Sequence, residues 1–211
     1  MTDTYVRILL EKSNTVLGKV VQKFSPYPYT HIAYENGEND FVSFSRAHHN
    51  NPFESGFTHE KLEYYAYRKG EPVTLKIYTI PVSEQIKKDI ESYIKQIEED
   101  EYVFNLYGML SMPITHGFYI PKAHNCMTFI ADIFEIIGIP LVRLPAYKNS
   151  IEDLENALLK QGYQYAYYVV ENQKEDPEYM KDISLKEKTK AFIHLNKELM
   201  KRMKKRILQS L

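Results

Sequence analysis

The stretch from His124 to Gly138 constrains the fold of this chain more than any other, because it joins the single cysteine, Cys126, to a strongly apolar helix pattern. Asn125 is a good candidate N-cap, and Gly138 followed by Pro140 is a typical helix stop. The apolar residues recur at the i, i+3, i+4 spacing of one buried helix face: Phe129, Ile130, Ile133, Phe134 and Ile137. We therefore predict a buried helix that begins at Cys126.

A cysteine in the first turn of a helix has two interpretations. The helix dipole and the free backbone N–H groups favour an anion there, and such placement lowers thiol pKa values from about 8.5 to roughly 3.5–7.5, which makes a nucleophile. The alternative is a small buried hydrophobe, because free cysteines are among the most buried residues. A single cysteine also excludes an internal disulfide and a four-cysteine zinc site.

Composition limits the class of protein further. A chain of 211 residues with 44% hydrophobic residues suffices for one generous domain, or for a domain with an appendage. Its net charge of −1 gives no field that would attract nucleic acid. We find no run of 18 apolar residues and no basic segment followed by an apolar core at the N-terminus. The expectation is a cytoplasmic protein without a membrane span or a signal peptide.

A predicted β-hairpin presents the first candidate catalytic histidine. Residues 29–35 and 41–46 have strand composition and flank a turn signal at 36–40. Because side chains alternate along a strand, His31 would lie opposite Ser43 or Ser45 on the partner strand. A polar residue across from a histidine can orient the imidazole for catalysis, and the alternative is a structural, hydrogen-bonded histidine.

The remaining segments complete a prediction of mixed α and β structure. Further strands are predicted at 4–11, 73–81 and 163–170, and helices at 16–24, 83–101, 102–110, 151–159 and 184–211. Residues 47–70 are predicted to be a long loop, and the spacing of His48, His49 and His59 in it does not fit a metal site. Residues 171–182 are charged, contain Pro177 and are predicted to be a surface linker.

The C-terminal helix is predicted to be amphipathic. Leu185, Phe192, Leu195, Leu199, Met203 and Ile207 form its apolar stripe, and Lys197, Lys201, Arg202, Lys204, Lys205 and Arg206 lie on the opposite side. We expect this helix to pack on its own domain or on a second copy in a homodimer. A weak contact with an anionic membrane or an acidic partner is the alternative.

Six short motifs follow one another along the chain, with the strand histidine ahead of the cysteine. They are Tyr27-Pro28-Tyr29-Thr30-His31-Ile32, Ser43-Phe44-Ser45-Arg46, Asn51-Pro52-Phe53, Gly56-Phe57-Thr58-His59-Glu60, Tyr107-Gly108 and Asn125-Cys126-Met127-Thr128-Phe129. Together they resemble the circularly permuted branch of the NlpC-type papain-like cysteine amidases, in which the histidine precedes the cysteine. The resemblance covers roughly residues 5–170.

The resemblance implies a permuted papain-like α+β fold, with an antiparallel sheet packed against helices. It implies a catalytic domain over residues 1–176, followed by a C-terminal helical extension over 177–211. Cys126 would be the nucleophile and His31 the general base, while the position of the third, orienting group matches Ser43. Candidates for auxiliary roles near the cysteine are Ser45, Tyr107 and Tyr119.

The function implied is that of a thiol hydrolase, a cysteine peptidase or amidase that needs no cofactor and no metal. Its substrate would be a small amide or peptide, cleaved through an acyl-enzyme on Cys126. Two alternatives stay open. One is an acyltransferase acting on a lipid or an amine, as in the related lecithin retinol acyltransferase-like enzymes. The other is a degenerate, non-catalytic binding module, favoured by the uncharged Ser43 at the orienting position.

Overall fold

The computed structural model describes residues 4–12, 27–67, 72–171 and 177–209. Within them the chain forms one eight-stranded sheet and a set of helices. The helix predicted at 16–24 lies outside the described residues. The prediction of an α+β protein with a mostly antiparallel sheet is confirmed.

The strands follow the order β7-β6-β4-β3-β2-β1-β5-β8 across the sheet, and only β6 and β7 pair in parallel. Their bounds are β1 Tyr5–Glu11, β2 His31–Gly37, β3 Asp40–His48, β4 Asn51–Glu60, β5 Val73–Pro81, β6 Val103–Phe104, β7 Ala123–His124 and β8 Gln164–Val170. The predicted hairpin is β2 and β3, with Gly37 paired to Asp40 at the turn. The strands predicted at 4–11, 73–81 and 163–170 correspond to β1, β5 and β8.

The helices account for most of the remaining described chain. They are α1 Leu62–Tyr67, α2 Glu84–Glu99, α3 Leu106–Thr115, α4 Cys126–Ile137, α5 Ile151–Lys160 and α6 Leu185–Gln209. Residues 47–70 are therefore not the predicted long loop, because β4 and α1 occupy most of this segment. The composition of β4 is typical of a loop, because the strand contains Pro52, Gly56 and many polar residues. Its regularity comes from pairing with β3, from Phe41↔Glu60 to Ser45↔Gly56.

Helix α4 lies at the centre of the main core, packed against β2 and β3. The predicted buried face is confirmed, since Phe129, Ile130, Ile133 and Phe134 are fully buried. Full burial of each such side chain stabilises the fold by about 1.5–3 kcal/mol. The stop at Gly138 is also confirmed, because this residue ends the helix in the left-handed region with φ 85°.

A second, smaller core cluster contains Leu9, Ala33, Phe41 and Leu75, and Tyr65 of α1 belongs to it. Ala33 belongs to this cluster, whereas its neighbours Ile32 and Tyr34 belong to the main core. Strand β2 thus contributes side chains to two cores, as the alternation of side chains along a strand requires. Helix α1, which begins two residues after Glu60, brings Tyr65 close to the beginning of β2.

Helix α6 packs against β4 and β6 and contributes buried Leu195 and Leu199 to the main core. The predicted apolar stripe holds there, but Leu185 at the start of the helix is 80% exposed. The described part of the predicted linker, residues 177–182, includes the buried Tyr179. Backbone carbonyls of Glu178 and Tyr179 are bonded to the rings of His48 and His49, so this segment is attached to the end of β3.

Candidate active site

Cys126 is the first residue of α4 and is half-buried beside the main core. The predicted N-cap is confirmed: the Asn125 side chain accepts a hydrogen bond from the backbone N–H of Thr128 at 3.0 Å. The Thr128 hydroxyl in turn accepts from the N–H of Asn125 at 3.0 Å, which completes a capping box. These bonds fix the first turn, so the positive end of the helix dipole lies at the thiol.

His31 is the first residue of β2 and is 7% exposed. Its Nε2 lies 2.8 Å from Oε2 of Glu60, and the Cys126 side chain is near enough to contribute to the raised pKa of the imidazole. Because Glu60 occupies Nε2, Nδ1 is the ring nitrogen left for another partner. The structure therefore brings Cys126 and His31 near each other, although they are 95 positions apart in the sequence.

The environment of His31 favours its protonated form. Burial by itself lowers the pKa of the imidazole, because it removes the water that stabilises a cation. The negative charge of Glu60 and the contacts with Cys126 outweigh burial and raise the pKa of His31 to about 10. His31 is thus an imidazolium at neutral pH, paired with a carboxylate and near a thiol.

Glu60 occupies the position beside His31 that sequence analysis assigned to Ser43. The Ser43 hydroxyl donates to the backbone carbonyl of Ile32 at 2.8 Å and is fully buried. The structure thus places the carboxylate of Glu60, and not the hydroxyl of Ser43, beside the ring of His31. Glu60 belongs to the Gly56–Glu60 motif. The predicted loop at 47–70 did not include strand β4, which places Glu60 beside His31.

Glu60 is itself held in place by two hydroxyl groups. Ser45 donates to Oε1 at 2.6 Å, and Tyr65 donates to Oε2 at 2.8 Å. Ser45, predicted as an auxiliary residue, therefore acts on the orienting carboxylate instead of on the cysteine. With His31 on Oε2 as well, the buried carboxylate has donors on both oxygens, as a buried charge requires.

The two predicted auxiliary tyrosines have other contacts. The Tyr107 hydroxyl donates to Oδ1 of Asn196 and so ties α3 to α6. Tyr119 is 43% exposed and lines a cavity of about 230 Å³, whose wall also includes His124, Asp132 and Tyr147.

Sequence analysis did not single out the polar cluster around His124. This histidine is 8% exposed, its Nδ1 lies 3.0 Å from the Thr128 hydroxyl, and its Nε2 lies 3.3 Å from the Tyr93 hydroxyl and 3.5 Å from Oδ2 of Asp132. Burial lowers the pKa of His124 to about 4. Burial also raises the pKa of Asp132 to about 6. No periodicity could predict this cluster, since its members come from α2, β7 and α4.

The histidines of the predicted loop have separate partners. His59 lies between the carboxylates of Asp40 and Glu98, at 3.0 and 3.1 Å, while His48 and His49 contact the segment around Tyr179. Across the described ranges, no group of three or more histidine, cysteine or acidic side chains has the geometry to hold a metal ion.

Comparison of the chain with protein-family models, with curated proteins and with solved structures finds no match. Among the residues that the structure covers, none of the helices combines the length and the hydrophobicity needed to cross a bilayer.

Proposed function

We propose that this chain is a thiol hydrolase, a cysteine amidase or peptidase of the circularly permuted papain-like type. Cys126 is the nucleophile, His31 the acid–base residue and Glu60 the orienting carboxylate. The observation that carries the proposal is the buried His31, which pairs with Glu60 at 2.8 Å and has the Cys126 side chain near its ring. A nucleophile, a base and a third group that orients the base are the general elements of such catalysis.

In the proposed reaction, the thiolate of Cys126 attacks the carbonyl carbon of an amide, and a carbon–sulfur bond forms. The resulting oxyanion accepts a hydrogen bond from the backbone N–H of Cys126 at the start of α4. His31 then donates its proton to the leaving amine as the carbon–nitrogen bond breaks, which leaves an acyl-enzyme. Water attacks the thioester while His31 accepts a proton from it. The carbon–sulfur bond then breaks, and the acid leaves with the thiolate of Cys126 and the imidazolium of His31 restored.

Glu60 gives His31 two properties that this reaction needs. The hydrogen bond to Nε2 fixes the ring and leaves Nδ1 for proton exchange with the thiol, and the negative charge stabilises the imidazolium. The degenerate binding module was favoured because Ser43 is a weak, uncharged orienting group. That support is lost once Glu60 takes the position.

An acyltransferase would share the acyl-enzyme and would differ only in the acceptor, an amine or thiol in place of water. The order of the three residues along the chain, with His31 first, then Glu60 and then Cys126, agrees with the permuted arrangement implied by the sequence motifs. The fold class supports the proposal at a coarse level, since a mostly antiparallel sheet packs against the helix that carries the cysteine.

The test is the rate at which iodoacetamide alkylates Cys126, measured against pH in the full chain. We expect fast alkylation near neutral pH and a fall of about tenfold or more in His31→Ala, because the imidazolium no longer stabilises a thiolate. Ser43→Ala is the matched control, since it removes a buried hydroxyl of the same sheet and should keep the wild-type rate. Equal, slow rates in all three proteins would refute the activated nucleophile.

If alkylation shows that His31 activates Cys126, a screen of small amides and acyl esters then tests for hydrolysis. Each compound is assayed with and without an added amine acceptor. Release of free acid in the absence of amine is the expected result. Product that forms only as the acylated amine would favour the acyltransferase.

A further inference from the structure

Helices α3 and α6 and the loop after α3 expose large apolar side chains next to one another. Leu110 and Ile114 of α3 are 57% and 84% exposed, Phe118 of the loop is 42% exposed, and Met200 of α6 is 45% exposed. We call these four residues the α3–α6 patch. A cleft of about 550 Å³ lies between the two helices. It is lined by Tyr107, Leu110, Ser111, Phe118, Met200 and Met203.

The patch is continuous and not a scatter of single residues. Leu110 and Ile114 are four residues apart and so lie on the same side of α3, and both Leu110 and Met200 line the cleft. Scattered apolar residues are normal on a surface, but contiguous ones mark a site of contact with another body.

The exposed charged residues next to Met200 on α6 are lysines, while the acidic Glu198 lines a different cleft together with Phe53. Helix α3, from Leu106 to Thr115, has no charged residue. On α6, Lys197 and Lys204 are three and four residues from Met200, so they flank it on the helix surface, and the exposed Lys201 follows Met200 directly. An apolar centre with a rim of lysines faces solvent at this place.

We propose that the α3–α6 patch docks on the surface of an anionic lipid bilayer. Apolar side chains would enter the boundary between headgroups and acyl chains, while the lysines contact anionic headgroups. Lysine suits a rim position because its long stem covers apolar surface while the ammonium group reaches the headgroups. This inference is independent of the proposed hydrolase activity, since it concerns where the protein binds and not what it cleaves.

The sign of the charge favours a bilayer over a second copy of the chain. Two copies that met through this patch would bring their lysine rims together, and like charges at a contact oppose association. An acidic partner protein satisfies the charge but is the competing outcome in the test below.

The test is flotation of the full chain with vesicles of phosphatidylcholine alone and of phosphatidylcholine mixed with phosphatidylserine. We expect binding to the mixed vesicles that weakens at high salt, and much weaker binding to the neutral ones. Lys197→Gln, Lys201→Gln and Lys204→Gln combined should reduce the partition coefficient about 100-fold, at about fivefold per lysine. The matched control replaces three lysines outside α6, Lys88, Lys95 and Lys160, by Gln and should bind as wild type.

A second variant tests the apolar part of the patch. Leu110→Ser with Ile114→Ser should lower vesicle binding by about tenfold or more, whereas Leu159→Ser, at a residue 46% exposed on α5, should leave it unchanged. All these positions are exposed, so circular dichroism should show wild-type folding.

The proposal is overturned if the wild-type chain fails to float with anionic vesicles, or if the control variants lose binding as strongly as the patch variants. It is also overturned if light scattering finds a dimer that Leu110→Ser with Ile114→Ser dissociates, because a second copy would then cover the patch. Capture of an acidic protein without any vesicle binding would assign the patch to that partner instead.

Discussion

Two buried histidines near the start of α4 have opposite charge states. His31 is 7% exposed and has a pKa of about 10, whereas His124 is 8% exposed and has a pKa of about 4. Equal burial therefore does not decide the protonation of these residues. At neutral pH the first is an imidazolium and the second is a neutral ring.

The difference lies in the carboxylate beside each ring. Glu60 contacts Nε2 of His31 at 2.8 Å and has Ser45 and Tyr65 as further donors. Asp132 lies 3.5 Å from Nε2 of His124, and burial raises its own pKa to about 6, so its charge is less stable. Burial favours the neutral ring, and only a close, well-supported carboxylate reverses that preference.

The largest expected effect comes from removing the charge that distinguishes the two sites. In Glu60→Gln we expect the pKa of His31 to fall from about 10 toward 6.5, because burial is then opposed only by Cys126. The free energy of unfolding should fall by about 3–5 kcal/mol, since one partner of a buried ion pair is lost. NMR titration of the histidine rings and urea denaturation measure the two quantities.

The matched control for this variant is Asp132→Asn, which removes the carboxylate beside His124. It should leave the pKa of His31 unchanged and cost less stability, because desolvation is the cause resolved for the low pKa of His124. A pKa of His31 that stays near 10 without Glu60 would contradict the assignment of the orienting group.

The pH dependence of stability should separate the two histidines. The pKa of His31 is raised above 6.5, so its contribution is complete below pH 6.5 and is lost as the pH rises through about 10. The pKa of His124 is lowered, so its contribution is complete above pH 6.5 and is lost as the pH falls through about 4. At about 1.4 kcal/mol per pKa unit, the effect is worth up to about 5 kcal/mol for His31 and up to about 3 kcal/mol for His124.

Urea denaturation as a function of pH measures both losses. The curve has an alkaline limb, where stability falls as the pH rises through about 10, and an acid limb, where it falls as the pH drops through about 4. His31→Gln should flatten the alkaline limb, and His124→Gln the acid limb. Asp132 acts in the opposite sense, because a pKa raised to about 6 gives a contribution that is present below about pH 3.8 and lost as the pH rises through 6. The acid limb should therefore be steeper in Asp132→Asn, and an unchanged limb in His124→Gln would argue against a neutral buried ring.

The smallest effects are expected from two tyrosines that donate to the two carboxylates. Tyr65→Phe removes a 2.8 Å hydrogen bond to Glu60 and should cost about 1.5–3 kcal/mol and slow the alkylation of Cys126. Tyr93→Phe removes a 2.8 Å hydrogen bond to Asp132 and should cost about 1 kcal/mol with no change in alkylation. Equal effects on alkylation would show that the two clusters are not separate.

Most of the elements could be predicted from the sequence, because their signals are local. The helix from Cys126 to Ile137, its cap at Asn125 and the hairpin of β2 and β3 depend on neighbours a few residues away. Strand β4 was missed because its composition, with Pro52 and Gly56, is that of a loop, and its pairing with β3 stabilises it instead.

The residues of the candidate site also differ in whether local sequence signals could predict them. Cys126 and His31 could be proposed from their types and local positions. Glu60 could not, because it reaches His31 only when the β3–β4 register and the placement of α1 bring together residues 29 positions apart. Ser43 has a suitable side chain on a suitable strand, but its hydroxyl is bonded to the carbonyl of Ile32.

The sequence by itself determined the helix that begins at the only cysteine, the strand that carries His31 and the mixed α and β class of the fold. The tertiary structure alone decided which carboxylate meets the imidazole, which histidine is charged and where the apolar face of α3 meets the lysines of α6. The physical reason is the range of the interactions. Helix and strand periodicity act between near neighbours, whereas protonation and surface patches depend on the burial and charge of groups that only folding brings together.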